Sequence, residues 1–136
     1  DLLNRVRQPF NVNSLALAAA EASIFDYEFL ARSAELNRQG MLQIQQGLQT
    51  HGISALQSWG NFLLIDLQAV NPLEPKAGAV VYEALLSKGV ITRPVANYGL
   101  PGYLRVSIGT SIENEAFLKA MPFALEALKA CKVSAA

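Results

Sequence analysis

At Gly52 the hydrophobic period of this chain changes, and that change limits the folds open to it. Upstream, Phe29, Leu30, Ser33, Leu36, Gly40, Ile44 and Leu48 recur at spacings of three and four, the single stripe of an amphipathic helix. Asp26 is placed to cap that helix, which should run to about Thr50 with Gly52 as its stop. At ~1.5 Å per residue such a helix is roughly 40 Å long, enough to cross a domain and carry an interface at one end. Downstream the pattern breaks into short apolar runs. Residues 53–57 form a weak strand, and residues 61–67 a strong one that is apolar on both faces and so expected at the sheet centre. A loop over 68–78, marked by Pro72 and Pro75, leads to a helix over 79–88 with Val80, Leu85 and Leu86 inward and Gly89 as its end. Two more strands follow, the first ending at Arg93 and the second containing Arg105. A last helix spans about 112–129, with Ser111 as its cap, Asn114 where a capping box prefers Glu, and Pro122 expected to bend or split it.

Ahead of the long helix, residues 1–7 read as the last turns of a helix stopped by Gln8-Pro9, since the residue before proline is pushed from the helical region. Residues 10–13 are then an extended crossover, and Ser14 caps a short helix over 15–23. The tail 133–136 should fray. The order is helix, helix, strand, strand, helix, strand, strand, helix. That is an α+β architecture, a small, mostly antiparallel sheet with helices over one face.

A chain of 136 residues suits one domain or a piece of a larger one. Eleven basic residues balance eleven acidic ones without a run of either sign. Nucleic acids and anionic membranes are bound through clustered basic charge, so neither is an expected partner. Apolar residues make up 51% of the chain, which suits a piece that covers part of itself with another domain or subunit. No apolar run approaches the about 18 residues that span a bilayer. Arg5 and Arg7 are followed by Gln8, Pro9, Phe10 and Asn11 rather than by the apolar run of a signal peptide. Cys131 is the only cysteine, so no intrachain disulfide and no Cys-rich metal site can form. These features suit the cytoplasm. The start at Asp1, inside a helical pattern, suggests a fragment.

The chemistry concentrates on two arginines. Alternation places Leu104, Val106 and Ile108 on one face of their strand and Arg105 and Ser107 on the other. A guanidinium stays charged at ordinary pH, so partial burial requires an anion or several acceptors. An ion pair from Arg105 to Glu113 or Glu115 is the alternative to a bound anion. Arg93, at a strand end, either reaches solvent or joins the same site. The other candidates are structural readings. His51, the only histidine, sits at a helix C-terminus, where a cation is favoured. Ser87-Lys88 precedes Gly89 at another helix end, and Gly99-Leu100-Pro101-Gly102 lacks the Lys-Ser/Thr of a phosphate loop. Asp66, inside an apolar strand, meets a helix N-terminus or solvent more often than it serves a reaction.

Several segments read together carry a resemblance. They are Arg7-Gln8-Pro9-Phe10-Asn11-Val12-Asn13-Ser14 with the alanine-rich run after it to Ala20, Gly60-Asn61-Phe62, Val90-Ile91-Thr92-Arg93-Pro94-Val95-Ala96-Asn97-Tyr98-Gly99-Leu100-Pro101, and Leu104-Arg105-Val106-Ser107-Ile108-Gly109-Thr110 followed by Glu113-Asn114. In that order, over nearly the whole chain, they resemble the C-terminal part of the histidinol-phosphate aminotransferases, fold-type-I pyridoxal-phosphate enzymes of histidine biosynthesis. The resemblance implies amino transfer between histidinol phosphate and 2-oxoglutarate in a cytoplasmic homodimer. It assigns residues 1–13 to the end of a large-domain helix and the crossover, and 14–136 to the small domain, led by a long interdomain helix. It makes Arg105 the ligand of the substrate's carboxylate or phosphate, with Arg93 as a second anion contact. The Schiff-base lysine and the residues that cradle pyridoxal phosphate lie upstream in the family. No catalytic or cofactor-binding residue is therefore expected in this chain, which should be inactive alone. A related aromatic aminotransferase, a threonine-phosphate decarboxylase, a stand-alone anion- or amino-acid-binding module, and a purely structural domain are the alternatives.

Overall fold

Asn13, not Ser14, opens the first full helix, because its Oδ1 accepts the amide of Ala16 at 2.8 Å and lets the helix begin one residue earlier than expected. The computed structural model describes residues 2–6 and 11–131. The expected helix stop at Gln8-Pro9 and the fraying tail at 133–136 lie outside them. Residues 2–35 and 36–131 form two units. The first holds α1 (Leu2–Val6), α2 (Ser14–Ile24) and the opening turns of α3 (Tyr27–Gln49). Asp26 caps α3 as expected, accepting the amide of Phe29 at 2.9 Å, and Glu28 pairs with Arg32 one turn on. α2 buries none of its residues, and Leu15, Leu17 and Phe25 are exposed.

In the second unit α3 buries Gly40, Ile44 and Leu48, the second half of its stripe; Phe29, Leu30 and Leu36 are exposed. The helix ends before Gly52, whose φ of +70° only glycine adopts without strain. The strands are β1 (Phe62–Asp66), β2 (Arg93–Val95) and β3 (Leu100–Ser107), with α4 (Ala77–Leu86) between β1 and β2 and α5 (Ser111–Ala130) last. The sheet is antiparallel in the order β1-β3-β2. β3 is thus its centre, a correction to the expectation for β1. The weak strand at 53–57 is reduced to one bridge, Ala55 to Ile65. The ladder stops there because the Ser58 hydroxyl donates to the Phe62 carbonyl at 2.6 Å, taking the acceptor of the next rung.

Leu63 and Ile65 of β1 and Leu104 and Val106 of β3 share one face and pack in a single core with Ile44 and Leu48 of α3, Val81 and Leu85 of α4, and Met121 and Leu125 of α5. α4 starts two residues early, so Gly78 is helical and buried rather than part of a loop. Val81 takes the inward position expected of Leu86, which is exposed. α5 runs through Pro122 as one helix.

The α5 cap also differs from expectation. Thr110 is the N-cap and Glu113 the third helical residue: Glu113 Oε2 accepts the Thr110 amide at 2.7 Å and hydroxyl at 2.8 Å, a complete capping box. Asn114, buried, instead ties the turn together. Its Oδ1 accepts the Gly109 amide at 3.0 Å and its amide donates to Gly109 O at 3.2 Å and to Gln43 Oε1 of α3 at 3.1 Å. The backbone and hydroxyl donors of Thr110 hold the Glu113 carboxyl below its usual range. A depressed folded-state value stabilises the fold above the unfolded carboxyl's range, and that contribution disappears as pH falls through the folded value. Glu113→Gln should therefore be less stable than the parent near neutrality, with the gap closing in acid. Denaturant titrations at stepped pH would show it, and a gap that stays constant with pH would contradict the cap.

Candidate functional site

Helices cover one face of the sheet; the other face carries the arginines. Register makes the arrangement specific. Arg105 of β3 stands directly across from Arg93 of β2 on one side and Leu64 of β1 on the other, so all three project from the same face. Like charges directly opposed across strands repel. An anion between two such guanidinium groups turns that repulsion into attraction.

Burial along β3 alternates as expected, with Leu104 and Val106 buried and Arg105 half-buried. Arg105 Nε is shielded from solvent and has no hydrogen-bond partner. The alternative, an ion pair to Glu113 or Glu115, is not formed. Glu113 is committed to the capping box, and Glu115 pairs with Lys119 at 3.4 Å along α5. Asp66, on the same face of β1 as Leu64, accepts the Gln68 amide at 2.9 Å and the Tyr103 hydroxyl at 3.3 Å. Asp66 thus ends β1 half-exposed, tied to the following turn and to Tyr103 rather than to a helix N-terminus. Its charge beside Tyr103, with lesser help from burial and their hydrogen bond, raises the phenol above its ordinary value and keeps it protonated. Among the described residues, no acid neutralises Arg105.

What Arg105 does contact is apolar. Its guanidinium carbon lies 5.1 Å from the centre of the Phe62 ring. Phe62, Leu64, Val95, Tyr98, Leu100 and Arg105 together line an open pocket of about 290 Å³. The turn that returns β2 to β3 builds part of this wall. A short 3-10 turn, Ala96–Tyr98, ends on Gly99 at φ +76°, and the pairing register shifts between Pro94 and Val95. A weakly hydrated cation in an apolar wall suits an oxyanion, which a guanidinium grips through two parallel N–H bonds.

Arg93 is exposed and does not line the pocket, so it faces Arg105 across the ladder without sharing its wall. Neither His51 nor Ser87-Lys88 belongs to the site. His51 lies in the turn just after α3 and is exposed. Ser87 donates to the Ala84 carbonyl at 2.7 Å, and Lys88 lies 4.0 Å over the Phe123 ring. Phe62, Leu64, Tyr98 and Leu100 were not legible as site residues from the sequence. The available signal was the parity of β1: an apolar run with both faces occupied, one of which turns out to line a pocket rather than a second layer.

The first 121 residues match the family model described as aminotransferase class I and II. The chain is 54% identical over 121 residues to histidinol-phosphate aminotransferase 2 of Pseudomonas fluorescens, covering 89% of this chain and 31% of that protein. It is 53% identical, with the same coverage, to histidinol-phosphate aminotransferase 2 of Pseudomonas aeruginosa. It therefore spans about a third of the length of these relatives. In three dimensions it is similar to the histidinol-phosphate aminotransferase of Sinorhizobium meliloti, solved in complex with pyridoxal-5'-phosphate, with a TM-score of 0.75 at 21% identity over 93% of this chain and 34% of that one. At that identity the likeness speaks for the fold alone.

Proposed function

The chain belongs to the class I and II aminotransferases, and from that premise we propose that it is the small domain, residues 14–136, of a histidinol-phosphate:2-oxoglutarate aminotransferase. Residues 1–13 are the end of a large-domain helix and the crossover into it. The observation that carries this reading is the unneutralised Arg105, directly opposed to Arg93 and set in an apolar pocket. The alternating substrates of such an enzyme present a carboxylate in one half-reaction and a phosphate in the other. A bidentate fork accepts both oxyanions, whereas an ammonium would meet them only as a point charge. High identity to two proteins of that name supports the choice of substrate.

In this family pyridoxal phosphate supplies the electron sink for amino transfer. The Arg105 pocket does not fit that cofactor, because no lysine lines it. On this reading the cofactor is held by a large domain encoded outside these residues, and the protein works in the cytoplasm as a homodimer. The contribution of this chain is to hold and orient the substrate's anionic end.

The test is a substrate panel on the full-length protein carrying this chain. Histidinol phosphate should be the preferred amino donor and 2-oxoglutarate the acceptor. Preference for an aromatic amino acid would move the assignment to a sister aminotransferase. Release of carbon dioxide from threonine phosphate would move it to a decarboxylase.

A further inference from the structure

A planar cation that has no ion-pair partner still needs something to hold it in place. Three observations converge on Phe62. Its ring lies under the guanidinium carbon of Arg105, 5.1 Å from ring centre to carbon. Register explains the reach: Phe62 pairs with Ser107 and Leu64 with Arg105, so Phe62 is the diagonal neighbour of Arg105 on the pocket face, within range of an aromatic and a long side chain. The Phe62 backbone is itself tied down. Its carbonyl accepts the Ser58 hydroxyl at 2.6 Å, the same hydroxyl accepts the Gly60 amide at 3.2 Å, and the Gly60 carbonyl accepts Asn37 Nδ2 of α3 at 3.1 Å.

We propose that Phe62 is the positioning residue of the anion site, holding the Arg105 fork ready for the substrate's carboxylate or phosphate. The inference rests on the anion-binding role given to Arg105 above. A carboxylate partner would occupy the in-plane N–H groups and would have to be displaced by substrate. An aromatic ring attracts the cation through its face, leaving the in-plane donors free. The fork is thereby pre-oriented without being neutralised, which lowers the ordering cost of binding.

The experiment uses the full-length protein and measures binding of inorganic phosphate and of glutarate by calorimetry, together with steady-state kinetics. Phe62→Leu should weaken both anions about three- to tenfold, the range of a partly desolvated cation–π contact. Phe62→Tyr, which keeps the ring face, should stay within about twofold of the parent. In kinetics the loss should appear mainly in KM for anionic substrates and exceed any loss on a donor lacking that anion. Where Phe62→Leu does not fold, Phe62→Met serves as the ringless variant. Unchanged anion affinity in the ringless variant, or equal slowing of anionic and neutral donors, would overturn the proposal. A parent protein that binds both anions yet transaminates neither substrate would sink the aminotransferase reading and leave the role of Phe62 to be decided by calorimetry alone.

Discussion

Arg105→Ala in the full-length protein should lower kcat/KM for both the amino donor and 2-oxoglutarate by about 30- to 300-fold, while cofactor affinity stays within about twofold. The size follows from what is lost. Truncating one partner of a desolvated, hydrogen-bonded charge pair costs about 2–5 kcal/mol, and every 1.4 kcal/mol is roughly tenfold. Arg105 is only half-buried, so the lower part of that range applies. The effect should strike both half-reactions, because no second described residue lines the pocket with a positive charge. Arg105→Lys should fall between parent and alanine variant, since it restores the charge but not the bidentate fork. Cofactor titration and paired steady-state kinetics decide the matter. A variant that loses its cofactor, or that is impaired with one substrate alone, would refute the assigned role.

How much of this was legible in the sequence divides along a physical line. Contacts between neighbours in the chain were readable: Asp26 as a cap, Gly52 and Gly89 as helix ends, and the alternation that turns Arg105 away from the core. Contacts set by the pairing of distant segments were not. The opposition of Arg93 and Arg105 depends on a register fixed by the turn after Pro94, whose irregularity no local pattern announces. β1 was expected at the centre because both its faces are apolar. The face bearing Phe62 and Leu64 is apolar because it lines the pocket. The missed Thr110–Glu113 capping box was a one-residue shift, the usual scale of error at a helix start. The family resemblance supplied the anion that elementary alternation could only require.

Gly78→Ala should destabilise the protein by about 2 kcal/mol, against the direction expected of its secondary structure. Inside a helix, replacing glycine by alanine ordinarily gains up to about 1 kcal/mol. Here Gly78 is where α4 meets β3. A methyl group at that position would run into the carbonyl oxygen of Tyr103 and lie 2.9 Å from that of Pro101. Both obstacles are backbone atoms of the central strand, so no rotamer change relieves them, and α4 must move away from β3 or β3 away from α4. The overpacking term, about 1–3 kcal/mol, exceeds the propensity gain and sets the sign. The consequence reaches the site, because Tyr103 precedes Arg105 by two residues on the same face of the strand and holds Asp66 through its hydroxyl. Displacing that strand misaims the guanidinium, so the variant should also bind the substrate's anion more weakly at temperatures where it remains folded. Denaturant unfolding gives the first quantity and phosphate calorimetry the second. A Gly78→Ala protein as stable as its parent would mean that α4 does not lie this close to the strand, and the link from helix packing to anion affinity would fall with it.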